Sequence, residues 1–319
     1  MSEEAAVGPL VRVGTSGWNY PEWRGGFYPE GLAKTRELEY VSGIFDTLEI
    51  NSSFYRLMRV STYRKWGDGT PEGFQYAVKG WRQVTHYSRL KNPRENVAKF
   101  LDSGPLALET KLGPLLWQLP PSLQFDAQLV EDFLAVLPKT MGEARELAAS
   151  APPPPPKDEA KAAPALETVT GDAAARADQV GSDPGSGQGE LFAKYPPLPS
   201  APDSQVIRHA LEPRSAGFGT PEALALLRKY NVAMVQADIA GRYPTFRDVT
   251  SDMVYVRLHG SPRLYYSDYS PEVLEEWAGR VRQWRDEGLR TYFYFDNTAA
   301  GAAPKNALSL IDMIGPPAA

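Results

Sequence analysis

One pattern recurs along this chain of 319 residues: a short apolar run ends in charged or amide residues, and a turn and a segment with helical spacing follow it. Residues 46–55, DTLEINSSFY, show the pattern clearly. Leu48 and Ile50 alternate with Glu49 and Asn51, so a strand at this place carries both polar side chains on one face. Repeated units of strand and helix are typical of α/β proteins with parallel strands.

Eight apolar runs are predicted to be strands. They lie at residues 11–16, within 46–55, and at 74–84, 115–121, 206–214, 232–238, 254–259 and 291–297. Predicted helices separate them at residues 34–45, from Ser61 to Trp66, and at 92–101, 126–137, 220–230, 270–284 and 304–314. The length suits one α/β barrel of about 250 residues with an insertion. No Gly-rich nucleotide-binding motif follows a strand, so the alternation favours a closed TIM-type (β/α)8 barrel over an open sheet.

The pattern stops at residue 140. Five consecutive prolines occupy residues 152–156, and an Ala-rich run and a Gly- and Ser-rich segment follow. Such a composition cannot bury enough apolar surface to offset the entropy lost on ordering. We therefore expect strands 1 to 4 in residues 1–139, a disordered linker between helix 4 and strand 5 in 140–203, and strands 5 to 8 in 204–319.

The composition excludes several classes of protein. The chain contains no Cys, which excludes disulfides, thiolate nucleophiles and Cys metal sites. It begins with an acidic segment without an apolar signal region, and no apolar run reaches the roughly 18 residues of a membrane span, so we expect a soluble cytoplasmic protein. The formal net charge is −5; residues 151–203 hold 8 acidic and 4 basic residues, which leaves −1 for the rest. A nearly neutral body can still contain a basic cleft.

Seven ordered motifs resemble those of the YecE-like family, domain of unknown function family 72. They are GTSGWNYPEW, FYPEGL, LEINSSFY, FQYAVKGWRQVTH, KLGPLLWQLPPSLQFD, YVRLHGS and YFYFDN, and they cover nearly the whole chain outside the linker. The resemblance implies a TIM-type barrel, and the family has no agreed activity to transfer. Members often carry Arg-His at the end of the fifth strand, whereas Ser215 follows Arg214 in this chain.

Side chains at the carboxyl ends of parallel barrel strands meet around one opening, where the active sites of such barrels lie. The residues for which we predict catalytic roles are Glu49, Lys79, His86 and His259. The residues for which we predict substrate binding are Asn51, Tyr55, Gln118, Glu212, Arg214, Asp238, Arg257, Ser261, Asp296 and Asn297. Acidic and basic members are nearly balanced, so the structural alternative is an internal ion-pair network that closes the barrel mouth.

Lys79 stands out because it lies between Val78 and Gly80 in an apolar strand. Burial would lower its pKa toward the range that a general base or a Schiff-base amine needs. A partner such as Glu49 would instead keep the ammonium charged. Between these alternatives we favour the ion pair.

Arg257 and His259 share one face of the seventh strand and precede Ser261. Because the loops after the last two strands bind phosphate in many barrels, we expect these residues and Asn297 to form an anion site. The alternative is that His259 only braces its loop.

The metal-ligand content is limited. Three His residues are few for a multinuclear zinc site, and His209 lies early in its strand. A single Mg²⁺ bound by carboxylates such as Glu49, Asp238 and Asp296 stays open. A glycosidase with two carboxylates is disfavoured because strands four and seven end in an amide and an imidazole.

The expected linker contains a short motif, QGELF at residues 188–192, that resembles the Gln-x-x-Leu-Phe peptides that dock on the bacterial sliding clamp. Gln188, Leu191 and Phe192 would supply its amide and apolar anchors in a tract with few other apolar residues. Alternatively, Leu191 and Phe192 attach the linker to the barrel. Because the linker joins a helix to the next strand, we expect it at the face opposite the mouth.

Three hypotheses for function follow. The first is a hydrolase-like enzyme whose rim binds a phosphate-bearing ligand; if the clamp motif is functional, that ligand is nucleic acid and the reaction is phosphodiester or base-lesion chemistry in DNA repair. The second is a hydrolase or isomerase of a small phosphorylated or sugar metabolite. The third is a binding or scaffold protein without turnover.

Overall fold

The computed structural model describes residues 11–153 and 195–316. Its strands all pair in parallel and form one sheet with the order β6-β5-β4-β3-β2-β1-β9-β8-β7. These strands are β1 (Val11–Ser16), β2 (Thr47–Ile50), β3 (Gln75–Lys79), β4 (Leu112–Gln118), β5 (His209–Glu212), β6 (Val232–Met234), β7 (Gln236–Asp238), β8 (Met253–Leu258) and β9 (Arg290–Phe295). Only Val235 separates β6 from β7, so the two occupy the place of one barrel strand. The architecture is the predicted TIM-type α/β barrel.

Helices connect the strands along the outside of the barrel. They are α1 (Glu37–Ser42), α2 (Ser52–Tyr55), α3 (Val60–Asp68), α4 (Pro93–Asp102), α5 (Ala127–Val136), α6 (Met141–Ala149), α7 (Pro221–Lys229), α8 (Pro271–Asp286) and α9 (Ala302–Ile314). The predicted helix starts at Asp126, Thr220 and Ser270 are confirmed, because each side chain caps its helix by accepting a hydrogen bond from the backbone three residues later. Within the described residues, no helix is both long and apolar enough to cross a bilayer.

Two predicted boundaries were wrong near the mouth. α3 begins at Val60, with Arg59 at its N-cap, so Ser61 lies inside the helix and does not cap it. β3 ends at Lys79, and residues 83–87 form a π-helical turn instead of continuing the strand. Val84 is apolar and was therefore predicted to end the strand, but it is buried in the turn and not in the sheet.

The predicted start of the linker at residue 140 is also wrong, because α6 follows it. Thr140 accepts a hydrogen bond from the Glu143 amide at 3.2 Å and caps α6. The helix buries Met141 and Leu147, but its other buried residues are alanines, whose weak hydrophobic signal hid the periodicity. Residues 195–205 also pack on the barrel, since Leu198 is buried. Residues 154–194, including the motif at 188–192, lie outside the described residues, so their disorder stays a prediction.

The interior of the barrel combines small and large side chains. Its buried cluster includes alanines from β3, β5, β6 and β7 and tyrosines from β8 and β9, namely Ala77, Ala210, Ala233, Ala237, Tyr255, Tyr292 and Tyr294. The Tyr294 hydroxyl contacts Thr47 Oγ1 at 2.7 Å, and the Tyr292 hydroxyl donates to Gln75. Small residues leave the space that the tyrosine rings fill, so the mouth has a packed floor.

Candidate active site

Strand alternation delivers polar side chains to the mouth. On β8, Tyr255 lies in the interior cluster together with the alanines, whereas Val254 and Val256 belong to the outer core under the helices. Residues two positions apart point the same way, so Arg257 also faces the interior. The predicted division of this strand into two faces is confirmed. The other strands contribute Ser16, Glu49, Lys79, Gln118 and Glu212, and Asp296 follows β9.

Arg257 is the centre of the mouth. Its guanidinium is 1% exposed and donates to three carboxylates: Nη2 to Glu49 at 2.8 Å, Nη1 to Glu212 at 2.7 Å, and Nη2 to Asp296 at 3.2 Å. Nε also donates to Glu49 at 3.0 Å. Burial by itself would lower the pKa of Arg257, but the three carboxylates outweigh it and hold the pKa well above the usual range.

The carboxylates respond to the same contacts. Burial raises the pKa of Glu212, but Arg257, then Arg214 and His259, more than offset it, so the pKa is lowered. Burial also raises the pKa of Asp296, but Arg257 and then His259 outweigh burial, so this pKa is lowered as well. Both groups are therefore ionised at neutral pH, and this side of the mouth is the predicted ion-pair network.

Glu49 uses both of its oxygens within the network. Besides Arg257, it accepts from Ser16 Oγ at 2.7 Å and from the Tyr255 hydroxyl at 2.7 Å, and it is fully buried. Neither oxygen is left for a substrate proton. Glu49 is thus placed in the mouth as predicted, but its contacts are those of a group that positions Arg257.

His259 is held by two partners. Its Nδ1 lies 2.8 Å from Asp296 Oδ2, and its Nε2 lies 3.3 Å from Arg257 Nη1. Because a guanidinium can only donate, Nε2 is the acceptor in its contact with Arg257. Both ring nitrogens therefore face charged groups of the network.

Lys79 differs from every other charged group in the mouth. Its side chain is 6% exposed, and its ammonium lies 4.3 Å from the centre of the Phe54 ring. Among the residues that the structure describes, no hydrogen-bond acceptor contacts the ammonium and no carboxylate lies within 4.0 Å. The predicted pair with Glu49 is therefore wrong, because Arg257 occupies that carboxylate.

Burial first, and Arg257 second, lower the pKa of Lys79, while Glu212, Glu49 and Asp296 oppose the shift only in part. The direction is the one that the sequence predicted for a buried, unpaired lysine. The amine thus lies in the mouth with the electrostatic properties of a reactive or ligand-binding group.

Gln118 and Arg214 complete the mouth around Glu212. Gln118 Nε2 donates to Glu212 Oε1 at 2.8 Å, and Arg214 Nη2 lies 3.5 Å from the same oxygen. The Arg214 guanidinium also covers the Tyr243 ring at 4.9 Å. Arg214 thus lies at the mouth between the Glu212 carboxylate and the Tyr243 ring.

Three predicted binding residues lie away from the network. Gln236 accepts a hydrogen bond from Arg280 of α8 at 2.6 Å, and Asp238 lies on the same face of the strand, so Asp238 faces the helix layer. The Asp238 carboxylate accepts a hydrogen bond from the Ala240 amide at 3.1 Å. Asn297 Nδ2 donates to the Ser267 carbonyl at 2.9 Å and to Asn306 at 2.8 Å. Ser261 precedes a cis peptide bond to Pro262. The predicted anion site of Arg257, His259, Ser261 and Asn297 is therefore divided between the interior and the loops.

The remaining predicted residues lie near Lys79. Asn51 is the residue before α2 and not a strand residue, since β2 ends at Ile50. Tyr55 and His86 both contact Phe54 edge-on, with ring centres 5.0 Å away in each case. The loops after β2 and β3 thus form an aromatic wall beside the ammonium.

The metal hypothesis is not supported by the geometry. In residues 11–153 and 195–316, no group of three or more His, Asp and Glu side chains is arranged to hold a metal ion. Glu49 and Asp296 face Arg257, whereas Asp238 faces the helices. The place that a cation would take between the carboxylates is filled by the guanidinium.

His209 is structural and lies outside the mouth. Its Nδ1 accepts from Trp117 Nε1 at 3.1 Å, and its Nε2 donates to the Pro138 carbonyl at 2.7 Å. Burial lowers its pKa to about 4, and the bond to Pro138 opposes this shift only weakly.

The sequence interpretation missed Ser16, Phe54 and Tyr255 as members of the site. Tyr255 could have been found, because it shares the inward face of β8 with Arg257. Ser16 ends β1 at the same level as Glu49, with which it is in register. Nothing in the sequence distinguishes Phe54 from an ordinary core residue.

Solved structures with the same fold include two proteins of the DUF72 family. One, from Thermotoga maritima MSB8, has a TM-score of 0.66 at 23% identity and covers 96% of this chain and 99% of its own. Another, from Enterococcus faecalis V583, has a TM-score of 0.62 at 14% identity and covers 95% of each chain. At these identities the likeness shows the fold alone.

Comparison of sequences gives the family. The UPF0759 protein YunF of Bacillus subtilis (strain 168) is 28% identical over 117 residues, which span 35% of this chain and only 40% of that relative. A family model described as Protein of unknown function DUF72 matches residues 12–319. Because this match extends over nearly the whole chain, the protein belongs to the DUF72 family.

Proposed function

We propose that the barrel mouth is the active site of an enzyme that binds a phosphate-bearing ligand, with Lys79 as the main charge partner. The observation that carries the proposal is the buried ammonium of Lys79, which has no counter-ion among the residues that the structure describes. Burying a charge without a partner is unfavourable, so an anionic ligand supplies what this position lacks. The carboxylates of the mouth do not compete for Lys79, because hydrogen bonds hold them on Arg257.

The position in the fold supports the same function. Lys79 ends β3 at the carboxyl edge of the sheet, where TIM-type barrels bind their substrates. Arg214, whose guanidinium lies over Tyr243, is a second donor for ligand oxygens. In the proposed site Glu49 and His259 position Arg257, and Arg257 fixes the carboxylates.

Proton transfer in this site falls to His86. Its side chain is half-buried and packs on Phe54, the ring that also contacts Lys79. In the proposed hydrolysis a water oxygen attacks phosphorus as the bond from phosphorus to the ester oxygen breaks, and a protonated imidazole beside the ester gives its proton to the leaving oxygen. The depth of Lys79 favours a small phosphorylated metabolite, or a single phosphate of a longer chain, as the group that reaches it.

The test compares Lys79→Met with Lys79→Arg and with Lys305→Met, an exposed lysine of α9. We expect inorganic phosphate or pyrophosphate to bind wild-type protein in calorimetry, and Lys79→Met to weaken binding at least about tenfold, since a charged hydrogen bond is worth about 1.5–3 kcal/mol. Lys79→Arg should restore part of the affinity, and Lys305→Met should behave as wild type. Equal binding by Lys79→Met, or no binding by wild type at millimolar ligand, rejects the site.

Turnover separates an enzyme from a binding or scaffold protein. The engagement of Glu49 and His259 in hydrogen bonds is the observation that favours the scaffold alternative. If the mouth is an active site, para-nitrophenyl phosphate esters are hydrolysed by wild-type protein, and His86→Gln lowers the rate without changing phosphate affinity. Binding without any hydrolysis would favour the scaffold.

We further propose that residues 188–192 dock on the replication clamp. α6 ends at Ala149 and β5 begins at His209, so the segment between them leaves a helix and enters a strand at the end of the barrel opposite the mouth. A docked clamp would therefore leave the mouth open to its ligand. We expect a peptide of residues 184–196 to bind purified clamp, and Leu191→Ala with Phe192→Ala to abolish binding; a wild-type peptide that does not bind at high micromolar concentration ends the proposal.

A further inference from the structure

Positive charge is concentrated in one stretch of this acidic protein. Residues 51–100 contain 10 Lys and Arg residues and 3 Asp and Glu residues, a net charge of +7. The whole chain carries −5, so all other residues together carry −12. A positive region on a negative molecule attracts polyanions to that region and not to the rest of the surface.

The basic residues occupy two connections beside the mouth, the second of which includes the start of α4. Residues 51–60 follow β2 and residues 80–94 follow β3, and neither segment contains an Asp or Glu. We call their cations the basic rim: Arg56, Arg59, Arg82, Arg89, Lys91 and Arg94. Because both connections follow the carboxyl ends of neighbouring strands, the basic rim borders the opening that contains Lys79.

Four of the six cations of the basic rim are not neutralised by the described residues. Within the described residues, Arg82, Arg89, Lys91 and Arg94 form no ion pair with a carboxylate. The next acid along the chain, Glu95, is 2.6 Å from Lys99 and is thereby engaged. Arg89 donates to Ser122 Oγ and to its carbonyl, at 2.9 Å each, which fixes its position without removing its charge.

Aromatic rings lie between these cations and form a chain of contacts from Arg82 to Lys79 in the mouth. The Arg82 guanidinium lies 5.7 Å from the Tyr55 ring and 5.2 Å from the Tyr87 ring. Tyr55 contacts Phe54, and Phe54 contacts the Lys79 ammonium. Half-buried rings beside a positive track are the elements with which proteins bind unpaired bases and their phosphates.

We propose that the basic rim is a binding surface for single-stranded nucleic acid, which passes along it and delivers one phosphate to Lys79. The inference rests on the proposed function, since it names the ligand of the same mouth. A single strand fits better than a duplex because stacking on Tyr55 and Tyr87 needs bases that are free of partners. An acidic peptide would use the cations but not the ring faces.

The experiment measures fluorescence anisotropy of a labelled oligothymidylate of about twelve nucleotides, a length within the range of single-strand sites. The rim variant is Arg82→Gln with Lys91→Gln and Arg94→Gln. The control variant, Arg228→Gln with Lys229→Gln and Lys139→Gln, removes the same charge from the carboxyl end of α7 and from the segment after α5, at the end of the barrel opposite the mouth. The rim variant should bind at least about tenfold more weakly, with the slope of log affinity against log salt reduced by about 2, and the control should stay within about twofold.

Several outcomes would overturn the proposal. Equal loss in the rim and control variants would mean that only net charge matters, and tighter binding of the duplex form would remove the role of the rings. Binding of a polyglutamate peptide as tightly as the oligonucleotide would make the surface one for acidic peptides. Lys79→Met separates this inference from the proposed function: it should weaken phosphate binding in the mouth at least about tenfold and leave most of the oligonucleotide affinity, which the basic rim provides.

Discussion

Arg257 and Lys79 are both buried in the barrel mouth, yet the fold surrounds them differently. Arg257, on the β8 side, bonds to three carboxylates, while Lys79, on the β3 side, faces the Phe54 ring and has no carboxylate within 4.0 Å among the described residues. Burial alone therefore does not distinguish a structural cation from a functional one. The partners do, because a saturated charge is part of the scaffold and an unsaturated one is available to a ligand.

The chemistry of the two side chains explains the division. The guanidinium is planar and carries five donors in a fixed arrangement, so it can satisfy Glu49, Glu212 and Asp296 together. An ammonium has three donors on one nitrogen at the end of a flexible stem, so it lacks the planar, spaced donors that bond to carboxylates at three different strands. It can, however, lose its proton or meet an incoming anion when it is buried.

The largest expected effect is on the Arg257 side. Arg257→Met leaves three buried carboxylates without a counter-ion, so the free energy of unfolding should fall by about 3–5 kcal/mol. Urea denaturation followed by tryptophan fluorescence measures the change. Arg257→Lys keeps the charge but not the planar donors, and it should recover only part of the loss.

Lys79→Met is the matched control for Arg257→Met. It removes a buried charge that has no ion pair, so the free energy of unfolding should stay within about 1 kcal/mol of wild type or rise. If Lys79→Met destabilised the protein as much as Arg257→Met, both lysine and arginine would be scaffold residues, and the contrast between the two sides would be wrong.

On acidification we expect a smaller loss in the free energy of unfolding, and we expect it from His209, outside the mouth, before any loss from the mouth. His209 has a pKa near 4 in the folded state against 6.5 when unfolded, so its contribution is complete above pH 6.5 and is lost as the pH falls through 4. The pKa difference corresponds to about 3 kcal/mol. The lowered pKa values of Glu212 and Asp296 place the losses from the mouth at still lower pH.

Urea denaturation at several pH values between 7 and 4 tests this order. His209→Gln can keep a donor to Pro138 and an acceptor for Trp117, and it should remove most of the decline seen in wild type. A decline that persists in His209→Gln would show that the mouth network titrates in this range instead, contrary to the lowered pKa values of its carboxylates.

Much of the fold could be predicted from local signals. The alternation on β8, the caps Asp126 and Ser270, and the regular return of polar residues at strand ends each depend on neighbours in sequence. The failures were local as well: the alanines of α6 gave too little hydrophobic contrast, and Val84 extended β3 into a turn. Asp238 was predicted to face the mouth because it is the last residue of its predicted strand. In the structure its side chain lies on the face of the strand that points to the helices.

The sequence by itself determined which residues could meet, because parallel strands that end in Glu49, Lys79, Glu212 and Arg257 must bring them to one edge of the sheet. Only the tertiary structure decided which of them pair. Each carboxylate could have joined either cation, and the choice depends on the distances and angles across the barrel, which no local pattern encodes. In the closed barrel all three carboxylates contact Arg257, and the ammonium of Lys79 contacts the Phe54 ring.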